Sequence, residues 1–160
     1  MRFPRKQPYA PMAIEAPAEN TMKASLLYRI ASILMLLFAA GHTLGFTQVD
    51  PSWGVDSLIQ SMKTIHFNAN GSDRTYWDFF YGFGLFVTAF MLFASLLAWQ
   101  FSNLRAETLA QMRIGVWGFV VCFGAVAYLS WRYFFLVPIL FSVSILLCLT
   151  AAAWISGNPK

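Results

Sequence analysis

The sequence predicts an all-α fold: a polytopic membrane protein built as a four-helix transmembrane bundle, with a short interfacial amphipathic helix between spans one and two. Three observations lead there. Hydrophobic residues fill 58% of the 160 positions and aromatic residues 18%, while charged residues fill only 11%, against about 25% in a soluble domain. Four stretches, at 30–49, 79–104, 114–131 and 133–159, carry no Lys, Arg, Asp or Glu; at about 20, 26, 18 and 27 residues they suit the roughly 20 that a helix needs to cross the hydrocarbon core. Finally, Tyr76-Trp77 stands where a polar loop gives way to an apolar run, and such amphipathic rings favour the headgroup level of a bilayer.

Taken in order, residues 1–23 read as a disordered cytoplasmic tail, with Pro4, Pro8, Pro11 and Pro17 among mixed charges and no apolar period. Residues 24–157 form the transmembrane domain, with spans at about 27–48, 76–100, 110–131 and 134–156. Lys23 and Arg29 ahead of an apolar run ending in Ala39-Ala40-Gly41 also fit a cleavable secretory signal. The run continues to Phe46, which favours an uncleaved first span. Within it Gly41 and Gly45 stand four residues apart on one side of a helix, a spacing that suits close helix packing, and His42 lies beside them.

Asp50-Pro51 reads as an N-cap with proline at the first helical position. Val55, Leu58, Ile59, Met62 and Ile65 then recur at helical spacing, so 51–67 is expected as an outer interfacial segment anchored by Trp53 or folded over the mouth of the bundle. A turn follows at 68–73, with Asn70-Gly71 tolerating positive φ; Asn70-Gly71-Ser72 also matches the glycosylation pattern, a match common by chance. Asn103 is a candidate cap for a short helical lead-in to the third span. Residues 130–133 are expected as the tight turn between spans three and four, making those helices antiparallel neighbours. Pro138 falls near the start of the fourth span, where it strands few backbone groups.

The net charge of +4 accompanies no nucleic-acid motif, and the basic residues flank the apolar runs, where anionic headgroups attract them. With the N-terminus inside, Lys23, Arg29, Arg105, Arg113 and Lys160 are cytoplasmic, and Lys63, Arg74 and Arg132 lie outside. Both termini are therefore expected in the cytoplasm of a cell with an inner membrane. Cys122 and Cys148 fall inside apolar runs without CxxC spacing and read as small core residues.

The polar residues that share the outer level are His42, Asp78, Tyr81 and Arg132. Thr75-x-x-Asp78 is a capping-box pattern, so Asp78 reads as a helix cap; the functional alternative is a cavity-lining carboxylate paired with Arg132 or His42. His42 is the one histidine within a span, either satisfied by a carbonyl or by Tyr81, or serving proton transfer or ligand binding. A two-histidine haem site lacks a second histidine at matching depth, and no ligand spacing points to zinc. No cofactor or metal is expected. Gly41, Gly45, Gly82 and Gly84 are expected at packed faces, and Phe79, Phe80, Phe83 and Phe86 cannot all face one pocket.

The segments Gly41-His42-Thr43-Leu44-Gly45 and Tyr76-Trp77-Asp78-Phe79-Phe80-Tyr81-Gly82-Phe83-Gly84-Leu85 resemble a family of small four-span bacterial inner-membrane proteins of unassigned role. The likeness covers roughly residues 29–154 and marks His42, Asp78, Gly82 and Gly84 as family-like positions. A looser likeness links the chain to DoxX-type and sterol-isomerase-like bundles, which use intramembrane acids or histidines; the acids those bundles hold deep in their helices are missing here.

The reading that follows is a membrane protein without catalytic activity that binds an apolar ligand (lipid, quinone or isoprenoid) or a membrane partner, including a second copy, at its outer side. Two alternatives stand beside it. One is an isomerase-like or redox enzyme with His42 and Asp78 as an acid–base pair; the other is a structural subunit of a larger complex. The lipid bilayer is the expected surrounding, and nucleic acid is not an expected partner.

Overall fold

Inside a bilayer a backbone has no water to bond, so an apolar segment must satisfy its own N–H and C=O groups, and a helix does this within one stretch of chain. The computed structural model describes residues 19–157 and shows four long helices: α1 Glu19–Thr47, α3 Tyr76–Ser102, α5 Arg113–Tyr133 and α6 Leu136–Gly157. Between them stand α2 Asp56–Thr64, a hairpin of β1 His66–Ala69 and β2 Ser72–Thr75, and the short α4 Ala106–Gln111. Each of the four is long and apolar enough to cross a membrane. This is a multi-pass membrane protein. The shortest, α5 with 21 residues, measures roughly 31 Å at 1.5 Å per residue, about the thickness of the hydrocarbon core.

α1 packs on α3 and on α6, and α5 packs on α6. The close approaches use Ala31, Ser32 and Ala39 of α1, Ala94, Ser95 and Ala98 of α3, and Ala152 and Ala153 of α6, all buried. Small side chains are what lipid-embedded helices need, because close van der Waals contact replaces the missing hydrophobic drive. The remaining flank, between α3 and α5, is filled by rings: Phe101 meets Phe119 edge-on at 6.0 Å, Phe119 meets Phe123 at 5.3 Å, and Phe90 stacks on Phe123 at 6.3 Å.

Several boundaries differ from expectation. α1 already begins at Glu19, inside the expected tail, whose residues 1–18 lie outside the described residues. Asp50 caps only a single 3₁₀ turn, Pro51–Trp53, its Oδ1 accepting from Ser52 N at 2.8 Å. Gly54, at φ 64°, then turns the chain out of that helix, and α2 starts afresh at Asp56. The turn at 68–73 is the tip of an antiparallel hairpin, with Phe67 opposite Arg74 and Asn68 opposite Asp73. Asn70 at φ 50° and Gly71 at φ 86° supply the two left-handed positions of a tight hairpin loop, and Asn68 Oδ1 accepts from Gly71 N at 2.7 Å.

Asn103 closes α3 rather than opening α4; its Nδ2 donates to Trp99 O at 3.1 Å. The reversal between α5 and α6 falls at Phe134-Phe135, not at 130–133, which stay helical. Ser130 is buried on the packed face, and its carbonyl accepts from Phe134 N at 3.0 Å. Arg132 sits in the last helical turn, where a cation is favoured by unpaired carbonyls. Pro138 occupies the first turn of α6, where no N–H is needed.

Candidate functional site

The hairpin delivers the chain directly into α3. Thr75 ends β2 and is also the N-cap of α3: its Oγ1 accepts from Asp78 N at 3.2 Å, and its own N–H donates to Asp78 Oδ2 at 2.8 Å. This reciprocal box fixes both the start of the helix and the position of Asp78. Thr75 is buried and Asp78 exposed.

Asp78 sits on the rim of an open groove of about 300 Å³, lined by Arg74, Asp78, Phe79, Gly82, Phe83 and Phe86. Its walls come from three phenylalanines spaced four and three residues apart, the spacing that keeps side chains on one helical face. Phe79 and Phe83 lie 6.4 Å apart. The floor is Gly82, with no atom within 4 Å of where a Cβ would stand. Phe80, the fourth of the run, turns away to Phe46 and Trp77.

Arg74 and Asp78 share this groove without pairing; among the described residues no salt bridge joins them. Arg74 Nη1 donates to Asp73 O at 2.8 Å. The Asp73 carboxylate pairs instead with His66 Nδ1 at 2.9 Å. Lys63 places its Nζ 4.4 Å from the Trp77 ring centroid, which ties α2 to the first turn of α3.

His42 belongs to a different face. Its Nε2 lies 3.2 Å from Gly84 O; a carbonyl only accepts, so Nε2 is the donor of this bond. Its ring lies 5.1 Å from Phe46, which in turn meets Tyr81 edge-on at 5.4 Å. Gly84 is required beneath Phe46, because a Cβ there would stand 2.7 Å from Phe46 Cδ2 and Cε2. The structure therefore groups His42 with Tyr81 through Phe46 and places Asp78 in the groove. Arg132 stands apart, with its guanidinium 5.3 Å from the Tyr133 ring. Among the described residues no hydrogen bond or salt bridge links His42, Asp78 and Arg132 to one another. Gly41 and Gly45 have open space where a Cβ would stand; alanine and serine make the close helix contacts instead.

Comparison with known protein families, curated proteins and solved structures finds no match.

Arg74 and the polar seam between α1 and α3 were not singled out by sequence reasoning. In that seam Ser25 Oγ donates to Ser102 O at 2.6 Å, Ser32 Oγ to Ser95 O at 2.8 Å, Ser95 Oγ back to Ser32 O at 2.9 Å, and Thr43 Oγ1 meets Thr88 Oγ1 at 2.8 Å. The signal was present as hydroxyls seven residues apart, Ser25 and Ser32 on one span and Thr88, Ser95 and Ser102 on the other. A second groove, of about 500 Å³, opens on this seam among Leu36, Leu37, Ala40, Leu44, Thr88 and Leu92. Its two hydroxyls, those of Thr43 and Thr88, meet each other at 2.8 Å, and the rest of its lining is apolar. Among the described residues no group of three or more His, Cys, Asp or Glu gathers at metal-binding distance.

Proposed function

We propose that this protein binds an amphiphile of lipid type in the groove on α3, its polar head at Arg74 and Asp78 and its apolar tail over Gly82 between Phe79, Phe83 and Phe86. The observation that carries this reading is the order of the lining: charge at the end where the hairpin enters α3, and a phenylalanine wall from there down the helix. A molecule with one wet and one oily end matches that order. A wholly apolar isoprenoid would leave the charged rim without a partner, and a quinone head, which only accepts, would leave Asp78 without a donor.

The surroundings support it. Tyr76 and Trp77 set the headgroup level beside the rim, and Phe83 and Phe86 are more than half exposed, within reach of a molecule arriving sideways through the bilayer. The excess of basic residues at the end that carries the termini favours a rim on the non-cytoplasmic side. A plasma or bacterial inner membrane accommodates this arrangement.

The test fills the floor of the groove. Gly82→Leu has room for its side chain and should fold. Mass spectrometry of lipids retained after purification in mild detergent should show roughly a tenfold loss relative to the unaltered protein, the factor corresponding to about 1.4 kcal/mol of lost contact. Unchanged retention in a folded Gly82→Leu protein would remove the groove as a binding site.

A further inference from the structure

Resting on the amphiphile reading, we infer that the head recognised is zwitterionic, a phosphate joined to a primary ammonium, so that the ligand is an aminophospholipid. The groove presents one cation and one anion that form no salt bridge among the described residues, the Arg74 charge reaching Asp78 only at longer range. Arg74 Nη1 is engaged by a carbonyl, and the nearest carboxylate in sequence, that of Asp73, is taken by His66. The planar guanidinium retains further N–H donors, suited to two phosphate oxygens at once. Asp78 gives Oδ2 to the Thr75 N–H, and a carboxylate has a second oxygen to accept from an ammonium.

Each simpler head meets a mismatch. A purely anionic head satisfies Arg74 and is repelled by Asp78. A cationic amphiphile does the reverse. A quaternary ammonium balances the charges but has no N–H to donate to Asp78, whereas a primary ammonium has three. The apolar wall below the rim fixes the source of this chemistry as a lipid rather than a free phosphate ester, because a water-soluble head alone would leave Phe79, Phe83 and Phe86 uncovered.

The experiment places the full chain in nanodiscs of equal parts phosphatidylethanolamine, phosphatidylcholine and phosphatidylglycerol, and reads the lipids that remain bound by native mass spectrometry. The unaltered protein should retain phosphatidylethanolamine over each of the others by roughly threefold, the scale of one exposed charge pair. Asp78→Asn keeps an oxygen for the Thr75 N–H and should bring phosphatidylethanolamine and phosphatidylglycerol to parity. Arg74→Gln should lower the retention of all three phospholipids together.

Equal retention of the three lipids by the unaltered protein, with lipid still lost in Gly82→Leu, would overturn the zwitterionic head and leave the groove standing. Retention that Gly82→Leu does not change would overturn both. The headgroup series needs no substitution, so it decides the matter even where Asp78→Asn weakens the helix start.

Discussion

Towards α1, helix α3 sets Gly84, Thr88, Ser95 and Ser102; on a roughly opposite face it turns out Phe79, Phe83 and Phe86 around an exposed groove. The same 27-residue helix thus applies two rules. Where it meets protein, side chains are small or carry a hydroxyl, because lipid tails are as apolar as leucine and only close contact and hydrogen bonds favour the helix neighbour over lipid. Where it meets lipid, bulk carries no packing cost. A glycine therefore means different things on the two faces: Gly84 is filled from across the seam by Phe46, while Gly82 is open.

The sharpest way to break this comparison is to give both glycines the same side chain. Gly84→Leu drives its branch into a ring held between His42, Phe80 and Tyr81 and should cost roughly 1–3 kcal/mol, as overpacking does. Gly82→Leu should leave stability level or raise it, since leucine is the better helix former. Thermal unfolding of the two variants in one detergent checks this, and equal melting temperatures would mean that the faces do not differ in the way described.

A somewhat smaller effect, of opposite sign, is expected at Tyr28 in the first half of α1. Its ring is buried edge-on to Phe101 at 5.6 Å, but its hydroxyl makes no well-formed hydrogen bond among the described residues and interacts only loosely with Ser156. Ser156 lies beside it and donates to Ala152 O at 2.8 Å. An unsatisfied buried hydroxyl costs about 1–3 kcal/mol, so Tyr28→Phe, which keeps the ring, should stabilise by about 1 kcal/mol. A fall in the unfolding midpoint on this substitution would show that the hydroxyl is satisfied in the membrane after all.

What could be read from the sequence follows the same division. Apolar run length placed the four helices, because a bilayer imposes a minimum length that nothing else in the chain imitates. The capping box at Thr75 and Asp78 was legible because it is local, closed within four residues. The hairpin strands were not, since His66-Phe67-Asn68-Ala69 and Ser72-Asp73-Arg74-Thr75 lack the β-branched and aromatic alternation that marks a strand. The turn before α6 was misplaced because Ser130, Trp131 and Arg132 look like loop residues by composition, although one is buried in the packing and another suits a helix C-terminus. At the site, Asp78 stands out in the sequence as a charge carried into the start of an apolar run. Arg74 does not, because its role depends on a groove made by the helix that follows it. His42 and Asp78 seemed to share one level, but level along a helix says nothing about face, and six residues separate Gly84, the partner of His42, from Asp78.

The finest test concerns the seam itself. Ser32 and Ser95 exchange hydrogen bonds in both directions, Ser32 Oγ to Ser95 O at 2.8 Å and Ser95 Oγ to Ser32 O at 2.9 Å, with the two hydroxyls 3.0 Å apart. Interhelical bonds of this kind average about 0.6 kcal/mol in membranes, so Ser32→Ala or Ser95→Ala alone should cost little more than that. The informative quantity is their coupling. Each substitution removes one donor, but the contact between hydroxyls is lost with either, so the double variant should be less destabilised than the two singles added together. A double-mutant cycle by reversible unfolding measures the difference. Strict additivity would mean that the two hydroxyls act separately on their backbone carbonyls, and that this face of α3 is held by alanine-scale packing rather than by a shared polar contact.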